Sequence, residues 1–210
     1  MGGRMKLKVC GINDAEFAVH AAKLGVDYLG LIFAEKSPRR VTVEQAREIV
    51  AAASGPKFVG VFTTQPPDEI ERTASSLGLN TVQLHGNYDD SAVSALKKAG
   101  FEVWALEGSP ASASADAVLV DGRDGERCGG TGRVADWSVV PQLKASGRRV
   151  VLAGGISALN VRQAAATGAD VIDVNSSLET APGVKCAGLL NAFVKSCWWG
   201  CRESNPEPTV

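Results

Sequence analysis

Short runs of aliphatic and β-branched residues recur along the chain, and stretches with the helical spacing of apolar positions separate them. Most of these runs are apolar throughout instead of alternating with polar positions, which is typical of strands buried on both faces of a parallel sheet. The pattern predicts eight strands, at residues 6–12, 28–33, 57–63, 81–85, 102–106, 117–121, 149–153 and 170–174.

Capping signals indicate where the first helices begin and end. Asn13 followed three residues later by Glu16 predicts a capping box for a helix that runs to about Lys23, and Gly25 is expected to end that helix. Thr42 with Gln45 predicts a second capping box. The remaining helices are expected near residues 67–77, 89–99, 136–146, 158–167 and 186–195.

Eight strands that alternate with helices indicate a (β/α)8 barrel or an open doubly wound sheet. The link at residues 109–115 is short and rich in small residues, so we expect a degenerate connection between strands five and six instead of a full helix. We assign one domain to residues 5–195, with residues 1–4 as an N-terminal extension. Residues 196–210 show no amphipathic period and are interpreted as a C-terminal appendage, for which disorder is one open interpretation.

Composition excludes several classes of function. The 210 residues are 45% hydrophobic and 21% charged, and they carry a formal net charge of −1 without a block of like charge. This predicts neither a nucleic-acid partner nor a membrane partner, and the absence of a signal peptide favours a cytoplasmic location. An odd number of cysteines without CxxC spacing indicates free thiols and no metal site; they are Cys10, Cys128, Cys186, Cys197 and Cys201.

Two candidate chemical groups stand where predicted strands end. Cys10 closes the first strand, and in a barrel the carboxyl ends of the strands face the active site. Its thiol could act as a nucleophile, as a base or as inert filler. Asp121 closes the sixth strand, where partial desolvation would raise its pKa and suit it to general acid catalysis. The alternative for Asp121 is a solvated carboxylate that starts a turn before Gly122.

Glycines and small polar residues follow the last two strands. Backbone amides at these positions form the usual phosphate site of such barrels, and glycine lets the backbone approach an anion closely. The alternative is a tight turn without a ligand. The candidate phosphate ligands are Gly154, Gly155, Asn175, Ser176 and Ser177.

Three further features are open to two interpretations each. The Gly129–Gly132 cluster, which includes Gly130 and Gly132, could fold over a phosphoryl group or be a flexible linker. Arg39 could fork onto a carboxylate or lie in a solvated basic loop. His85 could position a substrate or be structural.

Taken together, these motifs resemble the phosphoribosylanthranilate isomerase family of tryptophan biosynthesis, an aromatic amino-acid pathway. The matching segments occur in the family's order and cover roughly residues 6–195. They are Lys8–Ile12, Ser37–Arg39, Val59–Phe62, Gln83–Gly86, Asp121, Gly129–Gly132, Asp136–Trp137, Leu152–Ile156, Asp173–Val174, Glu179 and Pro182–Lys185.

The resemblance implies a single TIM barrel that catalyses the Amadori rearrangement of N-(5-phosphoribosyl)anthranilate, an aldose–ketose isomerisation. It implies that Asp121 protonates the ring oxygen, that Cys10 removes the C2 proton and that Arg39 holds the anthranilate carboxylate. It implies further substrate contacts at His85, Gly130 and Asp173 and phosphate contacts at Gly132, Gly154, Gly155, Asn175, Ser176 and Ser177. No metal or organic cofactor is expected, the partner is a small phosphoribosyl substrate, and the chain could be a monomer or a homodimer.

Two positions depart from the family pattern. Ser177 stands where the family typically has glycine, which predicts backbone conflict and weaker phosphate binding. Cys186 stands where the family usually has an aspartate that caps the last helix. Two alternative functions therefore stay open: a related aldosylamine isomerase of histidine biosynthesis, and a non-catalytic phosphate-binding barrel.

Overall fold

Eight parallel strands close into one barrel in the computed structural model, which describes residues 5–124, 127–128 and 136–198. Neighbouring strands follow the order of the chain, and the first strand pairs with the last, so the open doubly wound sheet is excluded. Each strand lies within its predicted range. The strands are β1 (Lys6–Cys10), β2 (Tyr28–Ile32), β3 (Lys57–Phe62), β4 (Thr81–Leu84), β5 (Glu102–Leu106), β6 (Ala117–Val120), β7 (Val150–Leu152) and β8 (Val171–Val174).

Helices follow seven of these strands in the described residues. The link between β5 and β6 holds only a 3₁₀ turn at Pro110–Ser112, which confirms the predicted degenerate connection. The helices are α1 (Ala15–Lys23), α2 (Val43–Ala52), α3 (Pro67–Ser76), α4 (Asp90–Lys98), α5 (Val139–Ala145), α6 (Val161–Ala166) and α7 (Ala187–Trp198). None of them is long and apolar enough to cross a membrane.

The capping predictions were right for α2 and wrong for α1. The Thr42 hydroxyl accepts from the Gln45 amide at 3.2 Å, and the Gln45 side chain accepts from the Thr42 amide at 2.9 Å. In α1 the cap is Asp14, whose carboxylate accepts from the Phe17 amide at 2.6 Å. Asn13 lies one position before that cap, and its side-chain amide donates to the Gly183 carbonyl at 2.8 Å.

The barrel has two apolar layers because its strands are buried on both faces. Outward-facing strand residues pack against the helices, whereas inward-facing residues such as Tyr28 and Trp104 fill the barrel itself. These two rings meet edge to face, with centroids 5.2 Å apart. The filled interior leaves the carboxyl ends of the strands as the place for a cavity.

The last helix extends beyond its predicted end at residue 195, because α7 continues to Trp198. A short antiparallel ribbon, Glu179–Ala181 with Val184–Lys185, precedes it on the carboxyl side of the barrel. The Gly129–Gly132 cluster, with the predicted ligands Gly130 and Gly132, lies outside the described residues. So do residues 1–4 and 199–210, and the domain boundaries therefore stay predictions.

Cys186 immediately precedes α7, and its carbonyl accepts from the Leu190 amide at 3.1 Å, as expected of the N-cap position. A thiol is a weak acceptor for the first amides of a helix, and the first turn of α7 has no acidic residue. We expect Cys186→Asp to raise the free energy of unfolding by about 1 kcal/mol, measured by urea denaturation. The matched control Cys186→Ala should leave it nearly unchanged. Equal midpoints for the two variants would contradict a capping deficit at this position.

Candidate active site

A cavity of about 1060 Å³ opens at the carboxyl ends of the barrel strands. It brings together nearly all of the predicted site residues that the structure describes, although they are far apart in the sequence. Those that line it are Cys10, Arg39, His85, Asp121, Gly154, Gly155, Asp173, Asn175 and Ser176. A cavity with a few convergent polar groups at this end of a barrel is the expected place for a small-molecule site.

Cys10 lies at the end of β1 with only 6% of its surface exposed. Burial raises the pKa of its thiol above the usual value, although the ammonium groups of Lys8 and Lys185 act in the opposite direction. The thiol is therefore mostly protonated near neutral pH. A thiolate formed there is a stronger base than an exposed one, because base strength increases with the pKa of the group.

A buried ion pair lies close to Cys10 inside the barrel. Lys8 is fully buried, and its Nζ lies 2.5 Å from Oδ2 of Asp173 on β8. Burial disfavours the ammonium, but the attraction of Asp173 outweighs that effect and raises the pKa of Lys8. Oδ1 of Asp173 is buried and has no hydrogen-bond partner in the described parts of the chain. This oxygen can therefore accept a hydrogen bond from a ligand, which agrees with the predicted substrate contact.

Asp121 and His85 approach each other across the cavity. Nε2 of His85 lies 3.3 Å from Oδ2 of Asp121, and both side chains are about nine-tenths buried. The backbone amide of Gly122 donates to Oδ1 of Asp121 at 2.8 Å, which orients the carboxyl group. Gly154 packs against this loop with φ +81°, and a Cβ atom there would lie 2.3 Å from the Gly122 nitrogen. A glycine is therefore required beside the candidate acid.

Backbone amides at the ends of β7 and β8 are available to an anion. Those of Gly154, Gly155, Ser176 and Ser177 have no acceptor among the described residues. Two loops with unpaired N–H groups at one edge of the barrel suit a phosphate group, because neighbouring backbone N–H groups together bind an anion.

The backbone conflict expected at Ser177 does not occur. No described residue other than glycine has a positive φ, so a serine fits the backbone there without strain. The Ser177 hydroxyl donates to the Ile156 carbonyl at 2.6 Å and so links the loops after β7 and β8. Glycine would lose this bond, which means that the departure from the family pattern adds a contact.

Arg39 faces the cavity from the loop after β2, but two of its donors are already used. Its Nε and Nη2 each lie 2.8 Å from a different carboxylate oxygen of Glu179. Hydrogen bonds from Arg39 and Lys185 outweigh burial and lower the pKa of Glu179 to about 2. Nη1 and the second Nη2 hydrogen of Arg39 have no acceptor among the described residues, so they can bind a ligand carboxylate.

The sequence of this chain matches known proteins of one family. A model of N-(5'-phosphoribosyl)anthranilate isomerase matches residues 7–196 of the chain. N-(5'-phosphoribosyl)anthranilate isomerase of Rubrobacter xylanophilus is 40% identical over 203 residues, which cover 91% of this chain and 98% of the relative. The chain belongs to the phosphoribosylanthranilate isomerase family.

Other members of the phosphoribosylanthranilate isomerase family extend the comparison. The tryptophan biosynthesis protein TrpCF of Vibrio cholerae is 41% identical over 192 residues, and the chain spans only 40% of the length of that relative. The crystal structure of the Thermus thermophilus isomerase superimposes with a TM-score of 0.82 at 35% identity, covering 91% of this chain and 98% of that one. Membership in this family does not favour the histidine-pathway isomerase or the non-catalytic barrel.

Three side chains buried in or beside this site have no role predicted from the sequence. Lys8, Glu179 and Lys185 all lie within motifs that carry the resemblance, but Lys8 pairs with a residue 165 positions away and Glu179 with one 140 positions away. A detectable signal existed for Lys8, because a lysine that interrupts an apolar strand must be either at the surface or paired. No comparable signal marks Glu179 or Lys185, which lie on the two short strands of the antiparallel ribbon after β8.

The raised pKa of Cys10 predicts when its thiolate forms. Thiolate absorbance in the ultraviolet, taken as wild type minus Cys10→Ser across a pH series, should reach half its final value at a pH above that of an ordinary cysteine. The thiolate fraction increases with pH, because ionisation removes the thiol proton. A midpoint below the ordinary cysteine value would show that the nearby lysines outweigh burial.

Proposed function

We propose that this chain catalyses the Amadori rearrangement of N-(5-phosphoribosyl)anthranilate to 1-(2-carboxyphenylamino)-1-deoxyribulose 5-phosphate. The observation that carries the proposal is the position of Cys10 at the end of β1 and of Asp121 directly after β6, around one cavity. A thiol and a carboxyl group facing one bound sugar can supply a base and an acid for the same reaction.

Binding at both ends would hold the sugar between these two groups. The phosphate would accept hydrogen bonds from the unpaired amides after β7 and β8, and the anthranilate carboxylate would lie on the free donors of Arg39. Oδ1 of Asp173 and the imidazole of His85 would contact polar atoms of the sugar. A crystal structure of a family member, 28% identical to this chain with a TM-score of 0.73, contains reduced 1-(o-carboxyphenylamino)-1-deoxyribulose 5-phosphate. We propose the same class of ligand here.

The reaction would proceed by proton transfers alone. Asp121 donates its proton to the ring oxygen while the anthranilate nitrogen pushes electrons toward C1, so the C1–O bond breaks and a Schiff base forms. The Cys10 thiolate then takes the proton from C2, and the electron pair moves to the nitrogen to give an enolamine. Proton return to C1 and loss of the hydroxyl proton at C2 yield the ketone. C1 is formally reduced and C2 oxidised, so the enzyme would be an intramolecular oxidoreductase without need for a metal or organic cofactor.

Turnover is expected to depend on both groups. Loss of anthranilate fluorescence should report conversion by the wild type, whereas Cys10→Ser and Asp121→Asn should each lower kcat by about 10²–10⁴-fold, because each removes one partner of the proton transfers. Both variants change few atoms, so binding of the reduced product should persist. A wild type that binds the reduced product but does not turn over the substrate would contradict the proposal and favour a binding module.

A further inference from the structure

A chain of buried charges links Arg39 to Asn175 at the wall of the candidate substrate site. Arg39 pairs with Glu179, and Nζ of Lys185 donates to Oε1 of the same carboxylate at 2.8 Å. Lys185 also donates to Asn175, to the side-chain oxygen at 2.7 Å and to the carbonyl at 3.0 Å. Arg39, the candidate ligand of the carboxylate, is thus connected through two side chains to Asn175, a candidate ligand of the phosphate.

The two connecting side chains are more deeply buried than the groups they hold. The side chains of Lys185 and Glu179 are 1% and 3% exposed, whereas Arg39 is 10% exposed and faces the cavity. Neither Lys185 nor Glu179 lines the cavity, so neither is placed to touch the substrate. Their hydrogen bonds nevertheless fix the orientation of two residues that do line it.

Close packing over Gly11 shows how little space the side chains of Arg39 and Asn175 have. A Cβ atom on Gly11 would lie 2.8 Å from Cδ of Arg39 and 2.9 Å from Oδ1 of Asn175. The side chains of Arg39 and Asn175 therefore converge over one glycine that follows Cys10. A shift of either side chain would change the space directly beside the candidate base.

The charges of this network add up to one net positive charge, because Glu179 compensates only one of the two cations. Its carboxylate accepts three hydrogen bonds within the network, two from Arg39 and one from Lys185. Removing charges from water costs free energy, and this cost can cancel the attraction within a buried ion pair. Stability of the fold alone therefore does not explain why this network is buried. The surplus positive charge at the cavity wall suits a ligand with a carboxylate.

We infer that Glu179 and Lys185 are positioning residues that select a substrate with an aromatic carboxylate. They hold Arg39 in the geometry that binds the carboxylate, and Lys185 holds Asn175 beside the backbone amides that bind the phosphate. This inference rests on the proposed function, since it assigns the carboxylate to Arg39. If Glu179 positions Arg39, Glu179→Gln should weaken binding of a carboxylate. If the network acts only through its net positive charge, the same substitution should strengthen that binding. Glu179→Gln increases the net positive charge beside the cavity but removes the carboxylate that orients the Arg39 fork.

The test compares two probes in equilibrium binding measurements. One is the reduced product, and the other is the same compound without its carboxyl group. In Glu179→Gln the carboxyl-bearing probe should bind about tenfold more weakly, while the probe without the carboxyl group should bind as in the wild type. In Lys185→Met both probes should bind more weakly, because Lys185 also holds Asn175. The matched control Lys144→Met removes a lysine that pairs with Asp170 at 2.7 Å and does not line the cavity, and it should change neither affinity.

The double variant Glu179→Gln/Lys185→Met keeps the test decisive if a single variant fails to fold, because it removes one charge of each sign. It should bind the carboxyl-bearing probe no more weakly than the Lys185→Met variant alone, since both substitutions act through one network. Circular dichroism shows which variants fold, and a purely structural role would lower the melting temperature without changing the preference between the probes.

Unchanged or tighter binding of the carboxyl-bearing probe by Glu179→Gln would overturn the inference. Turnover of the natural substrate by the wild type is measured separately. An inert wild type would contradict the proposed function, whereas an active wild type with unchanged probe preference in both single variants would contradict only the positioning role.

Discussion

Closure of the barrel at the seam between β1 and β8 is the constraint on which the site depends. Lys8 and Asp173 are register partners across this seam, and their side chains form an ion pair inside the barrel. Because β1 also pairs with β2, Cys10 is placed between the strand that carries Asp173 and the loop that carries Arg39. Parallel pairing then brings every carboxyl end to the same side of the barrel, where Asp121 completes the set of polar groups around the cavity.

The site contains charges that a core designed only for stability would avoid. Lys8, Asp173, Glu179 and Lys185 are all buried, and each depends on a partner from another element. Removing one member of such a pair leaves an uncompensated charge, so the pairs can vary only together. The apolar layers around Tyr28 and Trp104, in contrast, follow from burial of the strands on both faces.

Local patterns explain what the sequence could predict. Continuous apolar runs located all eight barrel strands, and the small-residue link after β5 indicated the missing helix, because both signals lie within a few residues. Cys10 and Asp121 stood out because each follows such a run directly. The cap of α1 was predicted wrongly, since Asn13 and Asp14 are adjacent and both are good caps, so the local pattern does not choose between them. The fork of Arg39 onto Glu179 spans 140 positions and has no local signal.

The proposed reaction requires that one bound sugar lies between Cys10 and Asp121 with its phosphate on the amides after β7 and β8. A crystal structure of this chain with the reduced product tests it most directly. We expect the Cys10 sulfur to contact C2, the Asp121 carboxyl group to lie at hydrogen-bond distance from the former ring oxygen, and the aromatic carboxylate to lie on Arg39. A ligand bound with its phosphate at Arg39, or with Cys10 out of contact with the sugar, would contradict it.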